Sequence, residues 1–260
     1  MITATSNGQI KQLQKWMNKS AERAKDGIFL AEGLRLTGEA PAALVRTLYV
    51  TPKVAQAGIP ENLKGVPTEV VSPELFAKIS STDTPQGILA VVSRPTWDPE
   101  AILRRKAPFL VVCERMQDPG NLGTVFRTAE AAGVSALFLS RDAVDPYNPK
   151  VVRSTMGAIF RVPHFIYEDY KVLAETFRKQ GIRTYAAHLR GTMSYTEADF
   201  AGGSAVLIGN EGNGLSEETA ALADTLVKIP MAGQAESLNA SVAAALLMYE
   251  GFRKRGFDRQ

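Results

Sequence analysis

FLVVCERMQDPGNLGTVFRTAEAAGVSALFLS, residues 109–140, reads as a strand, a helix and a second strand. FLVVC and SALFLS are short apolar runs of the kind that fully buried parallel strands require, and TVFRTAEAAG between them has helical spacing. The same rhythm continues downstream. KVVRSTMGAIF predicts a helix, HFIYED a strand, KVLAETFRKQG a helix and IRTYAAHL a strand. AVLIGN then predicts a strand, SEETAALA a helix, TLVKIPM a short strand, and SLNASVAAALLMYEGFRKR a long final helix opened by Ser237 as N-cap. Such alternation implies an α/β fold with a mostly parallel sheet covered on both faces.

Upstream the pattern is shorter. Residues 7–23 have helical periodicity, with Ile10, Leu13 and Met17 on one face and Lys11, Lys15, Lys19 and Arg23 recurring on another. IFLAEGLRLTGEA is an apolar run followed by a helix; VRTLYVT, VPTEVVS and GILAVVSRP are β-like, and PELFAKIS is a short helix. These describe a smaller α/β domain over residues 1–93. RPTWDPEAILRRKAP, with three prolines and a basic cluster, marks a linker at 94–106, which leaves 107–260 as the second domain.

The 260 residues are 45% hydrophobic and 22% charged, enough apolar material for two cores. A net charge of +3 permits nucleic-acid binding without demanding it. The single cysteine, Cys113, excludes an intrachain disulfide, and no Cys/His cluster has metal-ligand spacing, so no metal is expected. His164 and His188 lie outside every motif, which argues against Ser-His-Asp chemistry. The N-terminus lacks a signal-peptide apolar core and no apolar run reaches membrane-spanning length; a cytoplasmic protein without membrane contact is expected.

Three stretches look unlike scaffold, and each follows a strand. In DPGNLGTVFRTAEAAG (118–133) a turn presents Asn121 at the strand's C-terminal edge, and Arg127 follows in the helix among small residues. In LIGNEGNGLS (207–216) the glycines at 209, 212 and 214 allow tight turns, but no Lys-Ser/Thr follows and the glycine order reverses the dinucleotide fingerprint. Glu211 in that loop suits a cationic or hydroxyl-bearing ligand. In IPMAGQAESLNAS (229–241) Ile229, Met231 and Leu238 can line an apolar slot.

Together these stretches resemble the three signature motifs of the SpoU (TrmH-like) ribose methyltransferases of the SPOUT superfamily. IFLAEGLRLTGEA is similar to the opening of that family's substrate-binding domain, itself similar to ribosomal protein L30e. The resemblance implies a SPOUT fold with a deep trefoil knot in the C-terminal domain, beside an L30e-like N-terminal domain. It implies S-adenosylmethionine as cofactor, held by Leu207, Gly209, Asn210, Gly214, Ile229, Met231 and Leu238. It implies a homodimer packed through the knot and last helix, and an RNA substrate, ribosomal rather than transfer RNA, methylated on a ribose 2'-hydroxyl. Arg127 matches the family's catalytic arginine. Asn121 would orient it or the ribose, Glu211 would hold it by a charge-assisted bond, and Ser237 and Asn239 would position the target. Lys11, Lys15, Lys19, Arg23 and Arg153 are the expected RNA phosphate contacts. A tRNA ribose methyltransferase and a non-catalytic RNA-binding protein retaining the fold remain the alternatives.

Overall fold

The computed structural model describes residues 1–256. The chain forms two compact units, Met1–Thr96 with Asp145–Phe160, and Trp97–Val144 with the chain from Arg161 onward.

The first unit begins with α1 (Gly8–Asn18) and α2 (Ser20–Asp26). They are two helices where the periodicity predicts one, because Lys19 between them is extended, at φ −125° and ψ 112°. The break turns Arg23 inward. Its Nη1 caps the Trp16 carbonyl at the end of α1 (2.7 Å), and its Nη2 pairs with Asp145 at 2.5 Å. At 3% exposure Arg23 is a buried ion-pair partner, which corrects its expected place on a solvent-facing phosphate stripe. Next come β1 (Ile28–Glu32), α3 (Leu34–Gly38), β2 (Val45–Val50), α4 (Pro52–Ala57), β3 (Thr68–Val70), α5 (Pro73–Ile79) and β4 (Ile88–Ser93). The sheet order is β1-β4-β2-β3, antiparallel except for the parallel β2/β3 pair.

Alternation along β1 gives the sheet two covered faces. Ile28 and Leu30 join Ile10 and Leu13 of α1 and Leu75, Phe76 and Ile79 of α5 in one core. Phe29 points the other way, with ring centroids 5.1 Å from Tyr147 and 5.6 Å from Phe160. Both partners belong to 145–160, so this segment serves the first unit although the repeating pattern places it in the second. The helix predicted for KVVRSTMGAIF is correspondingly short, Pro149–Ser154, and Met156 at φ 51° stops its continuation.

The second unit opens with α6 (Pro99–Leu103), capped by Asp98. It lies inside the expected linker, yet Ile102 and Leu103 are buried in this unit's core. Then follow β5 (Phe109–Cys113), α7 (Pro119–Ala131) and β6 (Ala136–Ser140), and, after α8 (the Pro149–Ser154 helix), β7 (His164–Tyr167), α9 (Tyr170–Lys179), β8 (Arg183–Ala187) and β9 (Met193–Ser194). β10 (Ser204–Ile208), α10 (Glu217–Leu222), β11 (Thr225–Lys228) and α11 (Ala240–Lys254) complete it. The seven strands run in the order β7-β6-β5-β10-β8-β11-β9, and every pairing is parallel. Strands buried on both faces read as the continuous apolar runs that FLVVC and SALFLS display. One face packs Leu110, Val112, Phe138 and Leu207 against Leu173 and Phe177 of α9. On the other side of the unit α11 contacts both α7 and β10. The C-terminal ends of β5, β10, β8 and β11 thus form one edge, where ligands of open α/β sheets bind.

Candidate active site

The site is built where the chain leaves β5 and β10. Past β5, Arg115 adopts a left-handed backbone at φ 51°, a conformation that costs about 1–3 kcal/mol and needs support. The Ser140 hydroxyl accepts from its N–H (2.7 Å) and Asn210 Nδ2 donates to its carbonyl (2.8 Å). The Asp118 side chain then caps α7 by accepting from the Asn121 N–H at 2.7 Å, and Pro119 takes the first helical position. Asn121 therefore stands in the first turn of a helix, where the sequence suggests a turn before it.

The loop after β10 folds back on itself. Asn210 and Gly214 exchange two backbone hydrogen bonds, of 3.0 and 2.9 Å. A Cβ at Gly209 would lie 2.0 Å from the Gly214 carbonyl carbon, so only glycine fits there. The Asn210 Oδ1 accepts from the Gly212 and Asn213 N–H groups and fixes the tip. This fold aims Glu211 across at the start of α7. Its Oε1 accepts from Asn121 Nδ2 at 3.0 Å and from the Asp118 N–H at 3.3 Å, while Oε2 accepts from the Gln117 N–H at 3.3 Å. Partial burial pushes the Glu211 carboxyl up, but these hydrogen bonds outweigh it and the net shift is down. Glu211 is an ionised acceptor.

The third stretch joins the same network. Asn239 Nδ2 donates to Asn121 Oδ1 at 3.0 Å. Its Oδ1 caps α11, accepting from the Ser241 and Val242 N–H groups at 2.9 and 3.3 Å. The helix is thus opened by Asn239, two residues after the expected Ser237. Ser237 lies in the preceding loop, exposed and without a partner among the described residues. The three stretches, far apart in sequence, converge on the Glu211–Asn121–Asn239 relay.

Beside the relay is a cavity of about 300 Å³ lined by Gly209, Asn210, Glu211, Gly214, Ile229, Met231, Ser237 and Leu238. Ala187, His188, Leu189, Lys228 and Glu236 complete much of its wall. Ala187, His188, Leu189 and Lys228 sit at or just past ordinary strand ends, where nothing in the local pattern singles them out, and Glu236 lies within the 229–241 stretch without a signal of its own. Leu207, expected at the cofactor, belongs instead to the buried core cluster with Val112 and Ala186; the two-residue period of β10 turns its side chain into the sheet's packed face. Cys113 is fully buried, and burial, with Glu211 adding to it, pushes its pKa up to about 12, so it is no nucleophile.

Residues 108–249 match the SpoU rRNA methylase family model, and residues 7–90 match an MRM3-like substrate-binding domain. The chain belongs to the SpoU rRNA methylase family. Among its relatives, the 23S rRNA (guanosine(2553)-2'-O)-methyltransferase RlmP of Bacillus subtilis is 33% identical, over 95% of this chain and 97% of the relative. The 23S rRNA (uridine(2479)-2'-O)-methyltransferase of Streptomyces viridochromogenes is also 33% identical, over 96% and 91%. The crystal structure of the SpoU methyltransferase AviRb from that organism superposes with a TM-score of 0.84 at 32% identity, covering 96% of this chain and 98% of that one. The AdoMet-bound rRNA methyltransferase of Sinorhizobium meliloti gives 0.82 at 30% identity, covering 97% of each.

Within this SpoU site, Arg127 stands apart from the relay. It lies six residues beyond Asn121 on α7, about 120° around the helix axis and about 9 Å along it. It is exposed and has no partner among the described residues, so the expected Glu211–Arg127 bond is not made. Glu211 is already engaged by Asn121 and by two backbone donors. In the first unit, Lys11, Lys15 and Lys19 are exposed, whereas Arg153 is half-buried with Nη1 on the Ser81 hydroxyl at 3.1 Å. Among the described residues no group of His, Cys, Asp and Glu could hold a metal ion, and no helix is long and apolar enough to cross a membrane.

Proposed function

We propose that this SpoU protein transfers a methyl group from S-adenosylmethionine to a ribose 2'-hydroxyl of ribosomal RNA. The observation that carries the reading is the convergence of the three strand-end stretches on one hydrogen-bonded relay beside one cavity. The cavity fits the cofactor. Ile208, Leu215, Val227, Ile229, Met231 and Leu238 give it apolar walls for a purine, and Glu211 and Glu236 set carboxylates beside a ligand that carries positive charge. When bound, the cofactor would be held by these apolar walls and carboxylates and would supply an electrophilic methyl group on a sulfonium to the ribose oxygen. The hydroxyl proton leaves to solvent.

The chain's own residues divide between holding and acting. Asn121, Glu211 and Asn239 have committed their polar atoms to one another and to helix caps, so they fix the shape of the site. Arg127 and Ser237 keep free polar groups. A guanidinium stays protonated, so Arg127 stabilises the charge that develops on the ribose oxygen and does not take the proton. Ser237, on the cavity wall, can orient the ribose or its phosphate. The curated relatives act on a guanosine and on a uridine. Their shared feature is the ribose, in keeping with chemistry directed at a hydroxyl that every nucleotide carries.

The reading includes a homodimer packed through α11, which leaves the large hydrophobic side chains of Val242 and Tyr249 exposed. It includes the trefoil knot. β11 pairs with β8 and β9 toward one edge of the sheet, whereas α11, which follows it, returns to α7 and β10. A chain crossing back in this way is what such a knot requires. An rRNA substrate also fits a cytoplasmic enzyme. The test is primer-extension mapping of ribose methylation across rRNA from a strain lacking the gene. One methylation should disappear and return with the wild-type gene; an unchanged map refutes the proposal.

A further inference from the structure

Of the two carboxylates on the cavity wall, only one is engaged. Glu211 is held by Asn121 and by the Gln117 and Asp118 N–H groups. Glu236, in the loop between β11 and α11, is exposed and has no hydrogen-bond or ion-pair partner among the described residues. On the cationic side of the balance the wall carries Lys228. His188 also lines it; its Nδ1 accepts from the Arg190 N–H at 3.1 Å, which leaves Nε2 as the ring's donor.

Resting on the methyl-transfer reading, we infer that Glu236 makes the cavity discriminate between the two charge states of its ligand. The methyl donor carries a sulfonium, and the spent donor is a thioether identical in every other group. Uniform contacts such as the apolar walls hold both forms equally and cannot tell them apart. A carboxylate with no competing partner is free to act on the one charge that differs or on the ammonium both forms share, and only the first role changes the ratio of the two affinities. In the first role Glu236 favours the methyl-bearing form and weakens the grip once the charge is gone, which promotes exchange of spent donor for fresh. Lys228 opposes this with the contrary sign.

Titration calorimetry of the full-length chain with S-adenosylmethionine and with S-adenosylhomocysteine tests the inference, for wild type, Glu236→Gln and Lys228→Gln. Glu236→Gln should weaken S-adenosylmethionine about three- to five-fold, the size of one exposed charge contact, and leave S-adenosylhomocysteine nearly unchanged. Lys228→Gln should move the ratio the opposite way, and both effects should shrink between low and high salt. If Glu236→Gln weakens both ligands equally, the carboxylate grips the ammonium they share and the inference is overturned. An unchanged ratio overturns it too. A wild-type chain that binds neither ligand refutes instead the methyl-transfer reading on which the inference rests. Glu236 lies in an exposed loop, and matching thermal unfolding curves for wild type and variant confirm that only the charge has changed.

Discussion

Asn121→Asp is the sharpest test of the relay, because it changes one donor into one acceptor with almost no change of shape. In the wild type the Asn121 amide donates to Glu211 at 3.0 Å and accepts from Asn239 at 3.0 Å. Aspartate keeps the second contact and sets a carboxylate against Glu211 in place of the first. Two such charges repel by about 1.4 kcal/mol at the dielectric of water and by about 5.5 kcal/mol at an effective value of 20. Glu211 is only partly buried, which favours the lower part of that range. With the lost charge-assisted hydrogen bond, the variant should lose about 3–5 kcal/mol. In a unit of this size that lowers Tm by about 6–20 °C.

The pH dependence separates repulsion from loss of a contact. In the wild type the Glu211 carboxyl is held below its ordinary value, so it adds stability above the unfolded pKa and loses it as pH falls through the folded one. In Asn121→Asp the mutual repulsion raises the pair, and one proton relieves it. The gap between wild type and variant should be widest near pH 7.5 and narrow below about pH 4.5, close to the ordinary glutamate value. Asn121→Ala, which removes the donor and adds no charge, should fall between them at pH 7.5. Calorimetric unfolding of the three proteins at both pH values decides the matter. An aspartate variant as stable as the alanine variant at pH 7.5, or a gap indifferent to pH, would refute the relay as described.

Arg127→Ala should leave folding and S-adenosylmethionine affinity near wild type and abolish methyl transfer, checked by calorimetry beside a turnover assay. Light scattering at micromolar concentration should give a dimer; a clean monomer of about 28 kDa would contradict it. Replacing Lys11, Lys15 and Lys19 by glutamine should weaken rRNA binding and flatten its salt dependence without unfolding, because all three are exposed. Arg23→Gln should behave oppositely, lowering stability by about 3–5 kcal/mol by leaving Asp145 short of its partner, as thermal unfolding will report.

The strand–helix alternation of the second unit was legible because its adjacent strands β6, β5 and β10 are buried on both faces and read as apolar runs. The three functional stretches stood out for a related reason. Asp118, Pro119 and the glycines at 209 and 214 are residues that local geometry demands at strand ends. What sequence did not carry was which polar atoms find one another. Asn121, Glu211 and Asn239 are up to 118 positions apart, and nothing local says that Glu211 meets an amide and not Arg127. The four-residue recurrence ending at Arg23 failed through a single extended residue, Lys19. His188 was silent because a residue just past a strand end is ordinary until the opposite wall is known, and Glu236, although inside the 229–241 stretch, is set apart from its loop neighbours only by the cavity it lines.

The segment 145–160 bears on how the two units can be studied. By chain order it falls between β6 and β7 of the second unit, yet its side chains complete the first. Tyr147 and Phe160 cover Phe29, Arg94 lies over the Tyr147 ring at 4.2 Å, and Asp145 answers the buried Arg23. Deleting residues 1–93 would therefore strip the segment's apolar residues, among them Val151, Val152, Ile159 and Phe160, of the packing that buries them. It would also leave Asp145 without its cation. Exposed apolar area of that kind favours aggregation, so a truncated chain that fails to bind RNA would report damage as readily as function. Substitutions at the exposed lysines leave these contacts in place. They, and not a cut between the units, are the clean way to ask which surface holds the RNA.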